Sequence, residues 1–148
     1  MRKNKNKKTR LIVDANAWIS SLLSPRFQER LSIVFDAKYR LIVSEELFKD
    51  MASAMHKPYL AREISRSAYM ELVSRLRSVA ELVNVHSVVE VCRDPKDNFL
   101  LALAKDGNAD YLITGDKDLL AMGECENTKI VTLPDFEAAA SVEQSRDR

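Results

Sequence analysis

Leu11-Ile12-Val13-Asp14 sets the reading of this chain. Three consecutive apolar residues, two of them β-branched, suit a strand covered on both faces, as in the middle of a parallel sheet. The run ends on a carboxylate, so the core holds that acid at the strand's carboxyl end. The same grammar recurs further on. Leu41-Ile42-Val43 ends at Ser44, and Tyr111-Leu112-Ile113 ends at Thr114-Gly115-Asp116. Leu82 to Val85 reads as a weaker third strand in chain order, and Ile130, Val131 and Leu133 as a fifth.

The intervals carry helical patterns. Ser44 followed by Glu45 and Glu46 is a helix start, with Ser as N-cap and acids in the first turn. That helix is predicted to run to about His56, before Pro58. A second is predicted over Ala61 to Ala80, with Ile64, Ala68, Leu72, Leu76 and Val79 on one face. A third opens at Asp94-Pro95-Lys96-Asp97, where Asp94 suits the N-cap and Pro95 the first helical position. Strands alternating with helices predict an α/β fold of three layers, α/β/α.

The chain has 148 residues, 46% hydrophobic and 30% charged, which suits a single domain with a real core. Residues 10–140 read as that domain, with a basic flexible tail before it and a polar one over 141–148. No apolar run approaches the ~20 residues of a membrane helix, and no signal-peptide pattern follows the N-terminus. Cys92 and Cys125 match no metal-ligand spacing. Two isolated thiols suit a reducing compartment, so the expected location is the cytoplasm.

Six of the 23 basic residues (Arg2, Lys3, Lys5, Lys7, Lys8 and Arg10) fall within the first ten positions. The rest of the chain therefore carries fewer basic residues than its 22 acidic ones. The basic start is either a solvated tail or an arm that attracts nucleic-acid phosphates.

In open parallel sheets, ligands bind beyond the carboxyl ends of the strands. Asp14 and Asp116 leave two such ends. Asp97 lies in the first turn of the third helix. Asp50 lies one turn beyond Glu46 on the first, so those two share a face. Carboxylates gathered in one place repel each other, and their pKa values rise unless a cation joins them. An all-oxygen set without Cys or His suits a hard ion, Mg²⁺ or Mn²⁺. Such an ion activates water and offsets charge on a phosphodiester. Each acid also has a plainer reading: Asp116 as an N-cap, Asp97 as a complement to the helix dipole, Asp50 as a solvated residue. Asp14 has no equally good local backbone role. Asn16 is either a hydrogen-bond partner that orients Asp14 or a turn residue. Three scattered glycines exclude a phosphate-binding loop. His56 and His86 have no nucleophile motif around them, and Trp18 and Tyr69 read as core.

These stretches resemble the PIN-domain family over about residues 10–136. The motifs are Leu-Ile-Val-Asp14-Ala-Asn16, Ser44-Glu-Glu-Leu-Phe-Lys-Asp50, Arg93-Asp-Pro-Lys-Asp97-Asn-Phe-Leu and Thr114-Gly-Asp116-Lys-Asp118. The closest likeness is to the toxin branch of bacterial and archaeal toxin–antitoxin pairs. The resemblance implies a five-stranded parallel sheet of order 3-2-1-4-5. It also implies metal-dependent endoribonuclease activity, homodimers and a small antitoxin partner. It makes Asp14, Asp50, Asp97 and Asp116 the catalytic acids. Asp50 stands where the family usually has Glu, and Ala15 replaces a common hydroxyl residue.

The reading that follows is a cytoplasmic ribonuclease using Mg²⁺ or Mn²⁺. Asp14, Asp97 and Asp116 hold the metal, and Asp50 completes the site or orients water. Glu46 is the substitute for Asp50, and Asp94 and Asp118 stand close behind the ligands. Thr114 either hydrogen-bonds an acid or phosphate, or simply ends its strand. The rival reading is a weakly active or inactive module of the same fold that binds RNA or a protein.

Overall fold

The computed structural model describes residues 7–146. Six strands form one sheet: β1 Thr9–Val13, β2 Tyr39–Val43, β3 Glu81–Leu82, β4 Tyr111–Ile113, β5 Glu124–Cys125 and β6 Thr128–Val131. Their order is β3-β2-β1-β4-β6-β5. All pairings are parallel except β5 with β6. The helices are α1 Ala15–Leu23, α2 Pro25–Leu31, α3 Glu45–Met55, α4 Pro58–Glu63, α5 Arg66–Val79, α6 Pro95–Asp106, α7 Lys117–Met122 and α8 Leu133–Arg146.

Alternation along the strands builds three layers. Leu11, Val13, Leu41 and Val43 point into one core with Trp18, Met51, Leu76 and Phe136. Ile12, Ile42 and Leu112, one residue out of phase, point into a second core with Leu101 and Leu103 of α6 and Leu119 of α7. The central strands are thus apolar on both faces, as their sequences require.

The α/β class stands as predicted from the sequence, and several details differ. The sheet has six strands rather than five. Its extra member is β5, which turns back on β6 through Glu126, a residue at φ 53°. A two-residue strand has no periodicity to read. Leu133 opens α8 instead of ending a strand. The third strand starts one residue early and is short. Beyond it only Val83 reaches β2, donating to Val43 O at 2.8 Å. The Asp106 carboxylate takes the next amides, His86 N–H and Ser87 N–H, at 2.7 and 2.9 Å.

The helix expected over 61–80 is broken at Ile64. Ser65 caps α5 by accepting from Ala68 N–H at 3.1 Å. The helices α1 and α2 were not expected. Ser24 separates them, capping α2 with Pro25 at its first position. The polar finish from Ser141 continues α8 to Arg146, because polarity marks exposure rather than loss of helix. At the other end, Thr9 already belongs to β1. Among the described residues no helix is long and apolar enough to cross a membrane.

Candidate metal centre

Parallel pairing puts the exits of β1 and β4 side by side. Val13 and Ile113 are direct partners, and Asp14 N–H donates to Ile113 O at 3.1 Å. Asp14 and Thr114 therefore emerge as neighbours, and the Thr114 hydroxyl donates to an Asp14 carboxylate oxygen. The same hydroxyl oxygen accepts from Asp116 N–H at 3.0 Å. One threonine thus ties two acids from distant parts of the chain. Thr114 is a hydrogen-bond partner of an acid, beyond ending its strand.

Four of the helices that begin at this edge of the sheet surround the acids, and three of those begin on aspartates. Asp14 caps α1 through Ala17 N–H at 2.6 Å. Asp94 caps α6 through Lys96 N–H at 2.9 Å. Asp116 caps α7 through Leu119 N–H at 3.0 Å. Ser44 caps α3, which carries Asp50. Asp14 was expected to lack a local backbone role; α1 provides one. Capping does not remove the acids from the site. A cap uses one carboxylate oxygen, while aligned helix amides stabilise negative charge there.

A pocket of about 240 Å³ lies between these helix starts. Asp14, Asp50, Asp94, Asp97 and Asp116 line it, together with Lys57 and Lys96. All four acids singled out as catalytic therefore face one space. Three acids stand closest together: carboxylate oxygens of Asp97, Asp116 and Asp118 all lie within 4.8 Å of one another. Asp118, expected behind the ligands, belongs to this tightest group and also pairs with Arg93 at 3.3 Å. Asp14 is adjacent, on the pocket wall. Glu46 is half-buried and does not line the pocket, whereas Asp50 does. Asn16 lies in the first turn of α1, so it is no turn residue. Asp14 is oriented by Thr114 and Ala17 instead.

The electrostatics follow from burial and crowding. Burial pushes the Asp97 carboxyl up to about 6, and Asp116, Asp94, Asp118 and Asp14 push in the same direction. Burial also raises Asp14, against the hydrogen bonds from Thr114, Ala17 and Gly115. Asp50 is raised by burial, with Lys96 opposing and Asp94 and Glu46 adding to it. These are the strains that a divalent cation would relieve. The donors are all oxygen, so the set fits a hard ion such as Mg²⁺ or Mn²⁺.

The sequence reading missed Lys57 and Lys96. Lys96 sits inside a motif read only for its acids, and Lys57 precedes Pro58 at a helix boundary. Neither carries a local signal, because only the fold turns them toward the pocket. The described part of the basic start lies away from the acids. Lys7 and Lys8 precede β1 and lie at the opposite end of the sheet from the acids. Arg10 is a strand residue. Its guanidinium pairs with Glu81 at 2.6 Å and donates to Gly107 O at 2.7 Å. A Cβ on Gly107 would meet Ile42 at 2.8 Å, so glycine is needed for that close approach. Arg10 is thereby committed to the fold rather than free for RNA. Arg2, Lys3 and Lys5 lie outside the described residues. Trp18 is buried in the core and does not line the acidic pocket.

A profile described as PIN domain matches residues 10–118. The chain belongs to the PIN domain family. The match covers all four acids and the strands and helices that carry them. It places the chain in a nuclease superfamily whose members usually use divalent metals, and the acidic cluster is present. This PIN domain is also similar to an uncharacterized protein of Methanocaldococcus jannaschii. The two are 27% identical over 125 residues, 82% of this chain and 80% of that protein.

Proposed function

We propose that this PIN domain is a metal-dependent endoribonuclease that cuts RNA phosphodiesters by water attack. The observation that carries the proposal is the meeting of Asp97, Asp116 and Asp118, whose carboxylate oxygens lie within 4.8 Å of one another, in a pocket also lined by Asp14 and Asp50. Asp97 and Asp116 would hold Mg²⁺ or Mn²⁺, with Asp14 and Asp118 at its sides. Bound there, such an ion supplies water activation and neutralises charge on the phosphodiester.

The chain's own residues do the rest. Thr114 keeps Asp14 and Asp116 in register. Asp50, across the pocket, orients water. Its side chain is one methylene shorter than the Glu usual in the family. Lys57 and Lys96 attract the RNA phosphate into an otherwise acidic pocket, where a polyanion needs cationic help. We also propose a cytoplasmic toxin role, with a small antitoxin partner and a homodimer, on the strength of the toxin-branch motifs.

The test is cleavage of structured RNA by purified protein with Mn²⁺ or Mg²⁺. Asp97→Asn is expected to abolish it, and EDTA to stop it. Cleavage that survives either treatment refutes the metal mechanism. Metal and RNA binding without turnover would instead favour the inactive-module reading, which the short Asp50 side chain keeps open.

A further inference from the structure

On the other side of Asp14 and Asp116 lies a second depression, larger and of opposite character. It is a groove of about 670 Å³, within the ~300–1,000 Å³ range of small-molecule sites. Asn16, Ser20 and Leu23 of α1 and Phe27 of α2 form one wall, and Leu133 and Pro134 help form the other. The two depressions share Asp14, Asn16 and Asp116. The acids are thus a ridge with lysines on one side and apolar side chains on the other. Leu23 is 44% exposed within the groove.

We infer that this groove holds a nucleobase next to the cut phosphate and sets a base preference there. The inference rests on the ribonuclease reading above. A nucleotide has the same two-sided character as the site. Its phosphate is charged and its base offers an apolar face. With the phosphate at the ridge, a base on the lysine side would strip two ammonium groups of water. On the groove side the base meets Leu23 and Phe27, and aromatic side chains stack on bases. The Asn16 amide and the Ser20 hydroxyl have no hydrogen-bond partner among the described residues and face the same groove, so they are free to read a base edge. Continuity with the acids makes a base the occupant, because the groove begins at Asp14 and Asp116, within one nucleotide's reach of a phosphate held there.

The experiment uses RNA hexamers with one 2-aminopurine at successive positions, mixed with the protein and Mg²⁺ by stopped flow. This base is quenched while it stacks on its neighbours and brightens when it leaves them for an apolar site. Brightening is expected at one position only. An abasic ribose at that position is expected to weaken binding about 5- to 150-fold, the equivalent of ~1–3 kcal/mol of stacking. Phe27→Ala and Leu23→Asn are expected to remove both the brightening and the abasic penalty, leaving Mg²⁺ affinity unchanged. Should Phe27→Ala fail to fold, the exposed Leu23 carries the test. Brightening at no position overturns the inference, as does an abasic penalty that persists in both variants. The groove would then serve another occupant, such as an apolar helix of a protein. Brightening without any Mg²⁺-dependent cleavage would refute the ribonuclease reading and leave the base site standing.

Discussion

Removing one negative charge from the centre of the site should stabilise the metal-free protein. Burial and the neighbouring acids hold the Asp97 carboxyl up at about 6, against 3.8 for a free aspartate. At ~1.36 kcal/mol per pKa unit, that shift corresponds to about 3 kcal/mol against folding once the group is ionised. Solvent at the pocket mouth screens part of this, so the expected range is about 1–3 kcal/mol. The sign follows from proton counts. Between pH 3.8 and about 6 the folded chain holds the Asp97 proton more tightly than the unfolded one. This group's penalty is therefore complete above about 6 and absent below 3.8. Asp97→Asn deletes it. In EDTA at pH 7.5 the variant should melt about 2–12 °C above the parent, at roughly 2–4 °C per kcal/mol for this size. At pH 4 the difference should nearly vanish. Adding Mn²⁺ should reverse the order, because an ion at 100 times its Kd stabilises by ~2.7 kcal/mol and the parent binds it better. Differential scanning calorimetry at two pH values, with and without Mn²⁺, reads all of this. A variant less stable than the parent in EDTA at pH 7.5 refutes the crowding argument. Equal Mn²⁺ gains for both proteins would mean that Asp97 holds no ion.

Thr114→Val keeps the shape of the side chain and deletes the hydroxyl between Asp14 and Asp116. It should weaken Mn²⁺ binding about 10- to 100-fold, the usual cost of losing a group that supports a ligand; unchanged calorimetric affinity would contradict this. Arg10→Ala leaves Gly107 O without its side-chain donor and Glu81 with only the more distant Arg40, and should cost about 1–3 kcal/mol in urea unfolding while leaving RNA affinity unchanged. A selective loss of RNA binding would restore it to a nucleic-acid role. Lys57→Ala and Lys96→Ala should each weaken RNA binding and reduce its salt dependence by a log–log slope of about 0.7–0.9, one phosphate contact each. A slope identical to the parent's would place those lysines outside the RNA path.

Much of the site is legible along the chain, for a local reason. An acid directly after an apolar strand is held by the strand, and Asp14 and Asp116 declare themselves that way. Asp94 and Pro95 declare the start of α6 through capping chemistry, and Asp97 follows one turn in. The strands β1, β2 and β4 are equally plain, since burial on both faces demands unbroken apolar runs. What local pattern misses is whatever lacks a period or a cap partner within a few residues. The two-residue β5, the break at Ile64 and the shortened β3 belong to that class. So do Lys57 and Lys96, exposed lysines that only the fold brings to the wall of the acidic pocket.

Taken alone, the sequence determined the α/β class and the central strands, because each depends on residues within a turn or two of one another, and it named the four acids as candidates. The tertiary structure decided the rest. It made Asp118 rather than Asp14 the third member of the tightest cluster, drew Arg10 into the fold, and opened an apolar groove beside the acids. Those outcomes depend on parallel pairing between segments as distant as Asp14 and Thr114. Through-space distance sets both charge repulsion and hydrogen bonding, and only the folded backbone supplies that distance.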